Sequence, residues 1–151
     1  MSGQIAYLDS SVIVKRYVEE PGTEKVRELY VKAYAGDLNL AFSLWNLGEV
    51  LGALAKARLL NRISEEDYTQ ARRTFLSETR RLNRLGLAII VPVKSTILTH
   101  SWRLLEKHHI YQADALQIAS AKYVNATQFL VSDKRLHEAA SNEGLNSIYL
   151  G

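Results

Sequence analysis

The 151-residue sequence has no cysteine. That absence excludes a disulfide framework, thiolate zinc sites and a cysteine nucleophile together. Proline is nearly missing as well: Pro21 and Pro92 are the only two, and no Pro/Gly/Ser-rich linker, repeat or low-complexity stretch divides the chain. A single domain over residues 1–151 is the expected organisation, at a length that supports one core and is short for two. No apolar run approaches the roughly 18 residues of a membrane span. The opening from Met1 to Asp9 carries neither a basic segment nor a long apolar one of the secretory type, so a soluble, cytoplasmic protein with no membrane partner is expected. A glycine-rich phosphate loop is also lacking, which sets aside P-loop nucleotide hydrolases.

What is present is an ordinary globular composition, 47% hydrophobic and 23% charged, which argues against disorder. The net charge of +3 is a mild basic excess, weaker than a dedicated DNA-binding arm would show. Its distribution says more. Lys56, Arg58, Arg62, Arg72, Arg73, Arg80, Arg81 and Arg84 gather in the middle third of the chain. Charge runs are usually solvated helix faces; the functional reading is a surface that tracks phosphates, and charge alone does not choose.

Hydrophobic periodicity supplies the elements. Strands are expected at Ile5–Leu8, Leu38–Phe42, Leu87–Val91, Gln128–Val131 and Ser147–Leu150. Helices are expected at Ser11–Val18, Glu24–Ala35 behind a Thr23 cap, Leu44–Arg58, a long one opened by a Ser64–Asp67 capping box, then Thr96–Lys107, Ala113–Val124 and Lys134–Asn142. Strands alternating with helices imply parallel pairing by right-handed crossovers, hence an α/β three-layer sandwich. In such sheets ligands bind beyond the carboxyl ends of the strands, and Asp9 and Asp133 each stand just after one.

Four acids carry the functional argument. Asp9 and Asp133 both read as helix N-caps when taken alone, although Ser10, Ser11 and Ser132 are alternative caps that would leave the acids free. Glu49 lies in the nearly uncharged stretch Leu44–Leu54, where an unpaired carboxylate is expensive to desolvate. Exposure on the outer face of the helix is the competing account. The flanking Gly48 and Gly52 suggest the close approach of a backbone or a ligand. Asp114 is explicable as a first-turn acid favoured by the helix dipole, yet it opens a helix whose faces are mostly small or apolar, which turns it inward. Four such acids gathered together would repel, at about 4 kcal/mol per pair at 4 Å and an effective dielectric of 20. Proton uptake or a divalent cation resolves this, and oxygen-only ligands indicate a hard ion, Mg²⁺ or Mn²⁺.

The run Leu8-Asp9-Ser10-Ser11-Val12-Ile13-Val14-Lys15 resembles the opening motif of PIN-domain ribonucleases, the fold of VapC-type toxins. Glu49 in a helix after the second strand, the helix start from Tyr111 to Ala119, and Ser132-Asp133 after a strand follow in the family's order. The likeness covers the chain from Tyr7 to about Tyr149. It implies a parallel sheet of about five strands in order 3-2-1-4-5, and a metal-dependent endoribonuclease that acts on RNA and leaves a 5′-phosphate. A homodimer and a cognate antitoxin, as in VapBC-type pairs, come with it. On this resemblance Asp9, Glu49, Asp114 and Asp133 are the catalytic acids, with Asp9, Asp114 and Asp133 holding the metal. Ser10 and Ser132 are expected to orient the carboxylates, and Lys15, Arg103 and Lys134 are candidate phosphate contacts. His108, His109, His100 and His137 read as surface or boundary residues. The residues between His108 and Asp114 depart from the pattern.

Two rivals remain. Aspartyl phosphatases of the haloacid-dehalogenase kind need an acid two residues after the first, where this chain has Ser11. The rival of another class is a non-catalytic module that binds RNA or protein, with the acids serving as caps.

Overall fold

A computed structural model describes residues 3–151. Five short strands, β1 (Ile5–Leu8), β2 (Asn39–Ser43), β3 (Ala88–Val91), β4 (Gln128–Val131) and β5 (Ser147–Tyr149), form one sheet in the order β3-β2-β1-β4-β5. Every pairing is parallel, with Tyr7 opposite Ala41 on one side and Phe129 on the other. The expected topology holds. β1 sits in the middle because its residues are apolar at every position, the signature of a strand covered on both faces.

The period-two alternation of side chains divides the core. Ala6 and Leu8 face a layer built from α1 (Ser10–Tyr17), α2 (Thr23–Tyr34), α3 (Leu44–Leu59) and α4 (Glu65–Arg84), where Ile13, Val26, Tyr30, Leu54, Phe75 and Leu82 are buried. Tyr7 and Phe129 face the other layer, of α5 (Ser95–His108), α6 (Gln112–Tyr123) and α7 (Lys134–Asn142). The result is a three-layer α/β sandwich. Each crossover returns the chain so that the carboxyl ends of all five strands share one rim.

Two local expectations are corrected. Thr23 is not the cap of α2 but its first residue; Gly22 takes the N-cap position at φ 96°, and the Thr23 hydroxyl turns back to accept the Glu20 N–H. A side chain at position 22 would press on the Lys15 stem at 3.2 Å, so glycine serves both conformation and space there. Ser64 does cap α4, accepting the Asp67 N–H at 3.0 Å, whereas the reciprocal capping box belongs to α3, where Ser43 and Asn46 exchange bonds. Gly86 ends α4 at φ 73°, as its place after the apolar stripe suggests.

Candidate acidic site

Asp9 follows β1 directly and occupies the N-cap position of α1, but its side chain makes no capping bond. Its backbone oxygen accepts the Val12 and Ile13 N–H groups, and its carboxylate accepts the Ser11 hydroxyl at 2.9 Å. The residue is only 7% exposed. Burial pushes its carboxyl up to about 6, against the pull of bonds from Ser11 and Ser10, and the charges of Asp114 and Glu49 add to the rise. Ser10 and Ser11 are therefore not alternative caps. Ser11 orients Asp9, and Ser10 reaches across to donate to Glu49 Oε1 at 3.0 Å.

Glu49 stands half-buried on the second turn of α3. The same Oε1 also accepts from Asn46 Nδ2 at 3.3 Å, one helical turn earlier. Asn46 is fully buried and does three things with one amide. Its oxygen accepts the Ser43 N–H at 2.7 Å and the Tyr7 hydroxyl at 3.3 Å, while its nitrogen serves Glu49. The single Tyr7 proton is shared with Gln117 Oε1, the nearer acceptor at 2.7 Å, so a buried polar chain runs from α6 through β1 to Glu49. Tyr7, Asn46 and Gln117 escaped sequence reasoning; the three-residue spacing of Asn46 and Glu49 on one helix was the available signal.

Asp114 lies half-buried in the first turn of α6, a helix buried without interruption from Ala115 to Ala121. Its carboxyl is raised to about 6, by burial first and then by the charges of Asp133 and Glu49, with Arg135 opposing. Asp133 is exposed and caps α7 itself, its Oδ1 accepting the Arg135 N–H at 2.9 Å. Ser132 is not the cap; its hydroxyl is buried without a hydrogen-bond partner. Arg135 also reaches the His109 carbonyl through its guanidinium, tying the turn before Asp114 to the turn that holds Asp133.

The carboxyl rim thus holds Asp9 within electrostatic reach of Glu49 and Asp114, and Asp114 within reach of Glu49 and Asp133. Among the described residues, no three His, Cys, Asp or Glu side chains stand grouped so as to hold one metal ion. The donor set nevertheless suits a hard cation. It is all oxygen, it is partly desolvated, and the salt bridges among the described residues engage other acids: Glu19, Glu20, Glu24, Glu65, Glu78 and Glu143. The orphaned Ser132 hydroxyl beside Asp133 adds a polar group that lacks a protein partner. Mg²⁺ retains several waters and needs few carboxylates, so a preformed cage is not required.

The model of the PIN domain matches residues 6–142. The chain belongs to the PIN-domain family. Among solved structures, this PIN domain is similar to VapC20 of Mycobacterium tuberculosis, described as a toxin that cleaves the sarcin-ricin loop. Identity is 15% over 93% of this chain and 95% of that one, with a TM-score of 0.64. It is also similar to VapBC2 of Rickettsia felis bound to a promoter DNA fragment, at 16% identity, 98% and 100% coverage and a TM-score of 0.65. A third is FitAcB of Neisseria gonorrhoeae, at 17% identity, 95% and 96% coverage and 0.64. No curated protein matches the sequence.

Other candidates in this PIN domain fall away from the site. Lys15 is buried with its amine 3.5 Å from Glu20, so it is no phosphate contact. His108 is not a surface histidine: its ring nitrogen lies 2.6 Å from Glu143, and His137 pairs with the Ser147 hydroxyl at 2.7 Å. Gly48 and Gly52 are exposed, and no protein atom would lie within 4 Å of a side chain at either, so no backbone approaches them.

Proposed function

We propose that this PIN domain is a divalent-metal-dependent endoribonuclease, the toxin of a VapBC-type toxin–antitoxin pair, with RNA as substrate. The observation that carries the reading is the placement of Asp9, buried directly after β1, and Asp114, opening the buried helix α6, at one carboxyl rim as acids engaged in no salt bridge among the described residues. Asp9, Asp114 and Asp133 would hold Mg²⁺ or Mn²⁺, which supplies Lewis acidity toward a phosphodiester and lowers the pKa of a bound water. Ser11 fixes the Asp9 carboxylate, and Ser10 with Asn46 fixes one oxygen of Glu49 while leaving Oε2 to orient the attacking water. Attack in line would leave a 5′-phosphate. Arg135 holds the Asp114 and Asp133 turns in register.

A cognate antitoxin partner is supported by structural neighbours that are toxin–antitoxin complexes. A homodimer is supported by the large apolar side chains left at the surface, Trp45 and Trp102 among them, each 49% exposed. Cytoplasmic localisation follows from the proposed RNA substrate. The capping bond of Asp133 is the one contact that favours the non-catalytic reading.

Metal-stripped protein with added Mn²⁺ separates the two readings. The nuclease cleaves labelled RNA, and its unfolding temperature rises saturably with Mn²⁺, by an amount equivalent to about 3 kcal/mol at 100-fold excess over Kd. Asp9→Asn and Asp114→Asn should abolish both responses. Cleavage at the wild-type rate by Asp9→Asn would refute the assignment, and a wild-type protein indifferent to Mn²⁺ would leave a binding module.

A further inference from the structure

The acids leave unexplained the most concentrated charge on the molecule. From Tyr68 to its end at Arg84, α4 carries Arg72, Arg73, Arg80, Arg81 and Arg84, all exposed, and they line one open groove along the helix with Leu76. The only acid in that span is Glu78, and it is unavailable. Glu78 points into the core, where it accepts both Arg16 Nε at 3.0 Å and Arg16 Nη2 at 2.9 Å, together with the Tyr17 and Tyr34 hydroxyls at 2.8 Å each. Among the described residues, the salt bridges are made by Lys15, Arg16, Arg27, Arg58, Lys107, His108 and Lys122, and none of the five groove arginines takes part. A solvated helix face normally interleaves the two signs of charge, as α2 does with Glu24, Lys25, Arg27 and Glu28. This face does not.

We propose that the exposed face of α4 is a second nucleic-acid surface, gripping the backbone of a single-stranded RNA at the end of the sheet away from the acids. The proposal rests on the reading of RNA as substrate and adds where that RNA is held. Topology sets the separation. α4 ends at Arg84, four positions before β3 opens at Ala88, so its Arg80–Arg84 end lies by the amino end of β3, whereas the acids stand at the carboxyl rim. The strand alone spans about 13 Å. From Arg72 to Arg84 the helix advances about 18 Å, so the guanidiniums form a row long enough to oppose several successive phosphates. Guanidinium is the side chain suited to phosphate, because its planar fork pairs two N–H groups with two oxygens. An RNA engaged at both places must be long, and a short one would reach the acids without touching α4.

The test is binding of a fluorescein-labelled oligouridylate by anisotropy, in EDTA so that cleavage plays no part, across a salt series. The triple variant Arg80→Gln, Arg81→Gln, Arg84→Gln is compared with Lys25→Gln, Arg27→Gln, Lys32→Gln, which removes the same charge from α2. The groove variant should bind roughly tenfold more weakly at low salt, with a salt dependence shallower by about two in log–log slope. The α2 variant should stay within about twofold of wild type. With Mn²⁺ present, the groove variant should raise KM for a long RNA and leave the rate on a short one unchanged. Equal weakening by both triple variants would show a mere net-charge effect and overturn the proposal, as would groove-variant binding equal to wild type. Binding of polyglutamate more tightly than the oligouridylate at matched charge and salt would assign the groove to an acidic polypeptide instead and overturn the proposal. Loss of cleavage with RNA binding intact would count against the nuclease reading and leave this one standing.

Discussion

Asn46 shows how much one buried side chain governs at this site. Truncation in Asn46→Ala removes the acceptor of the buried Ser43 N–H and one of the two donors to Glu49. Leaving such a group unsatisfied costs about 1–3 kcal/mol, readable as a lower urea midpoint. Cleavage should fall in kcat while RNA affinity in EDTA stays unchanged, a split that a loss of stability alone would not produce. Asp9 behaves in the opposite sense. Its folded-state carboxyl is raised from 3.8 to about 6, so the folded protein holds that proton more tightly than the unfolded chain. Stability is therefore lost as pH rises between those two values and stays lost above them. Asp9→Asn should unfold at a higher temperature than wild type at pH 7.5 in EDTA, by an amount equivalent to about 1–3 kcal/mol, and match it near pH 3. A lower melting temperature at pH 7.5 would contradict the burial account. The acids themselves were legible as residues, because each follows a strand or interrupts an apolar stretch. Their supports were not. Nothing local tells that Ser10 bonds a glutamate 39 positions away, and the amide of Gln117 meets Tyr7 only once β1 lies over α6.

At the scale of elements, polar knots fasten the helices where apolar packing runs out. Glu143 follows α7 and gathers Lys107, His108 and Lys122 from the last turns of α5 and α6, at 2.9, 2.6 and 2.6 Å. These partners hold its carboxyl down at about 2, although its burial pulls upward. A depressed folded pKa stabilises above the unfolded value, near 4.5, and that contribution is lost as pH falls toward 2. Glu143→Gln should lower stability at pH 7 by about 1–2 kcal/mol, a figure reduced because the Lys107 amine is largely solvated. The difference from wild type should vanish by about pH 2 in thermal scans. Most element positions were readable from periodicity: β1, β4 and α7 fall where the pattern puts them, and Gly86 stops α4. The Thr23 cap was misplaced because a left-handed Gly22 competes for the position, and sequence preference ranks threonine and glycine alike there. Gly48 and Gly52 suggested a close neighbour, but both face outward, where a helix tolerates glycine at a modest penalty.

At the scale of the whole molecule, the sheet order was legible through the family likeness, since alternation of strands and helices alone leaves several parallel orders open. The order has an energetic side. β1 receives one neighbour from Asn39–Ala41 and the other from Gln128–Leu130, so its two edges close at very different distances along the chain. A chain ending at Thr127 keeps α1 to α6 but leaves the β1 edge unpaired, Leu8 without its neighbour Leu130, and the core it shares with Ile13 and Phe42 without that side chain. Such a truncation should show no cooperative unfolding transition and should aggregate at micromolar concentration, as followed by circular dichroism and light scattering. A sharp transition would contradict that dependence.

The late closure of β1 bears on synthesis. Nascent chain leaves the ribosome in order, and the strand that completes the middle of the sheet is also the one that delivers Asp133 to its rim. Until then Asp9 and Glu49 have no fourth companion and the rim that would present them is half built. On the proposed nuclease reading, the threading of this fold delays any cutting of RNA until β4 has taken its place and Asp133 has reached the rim.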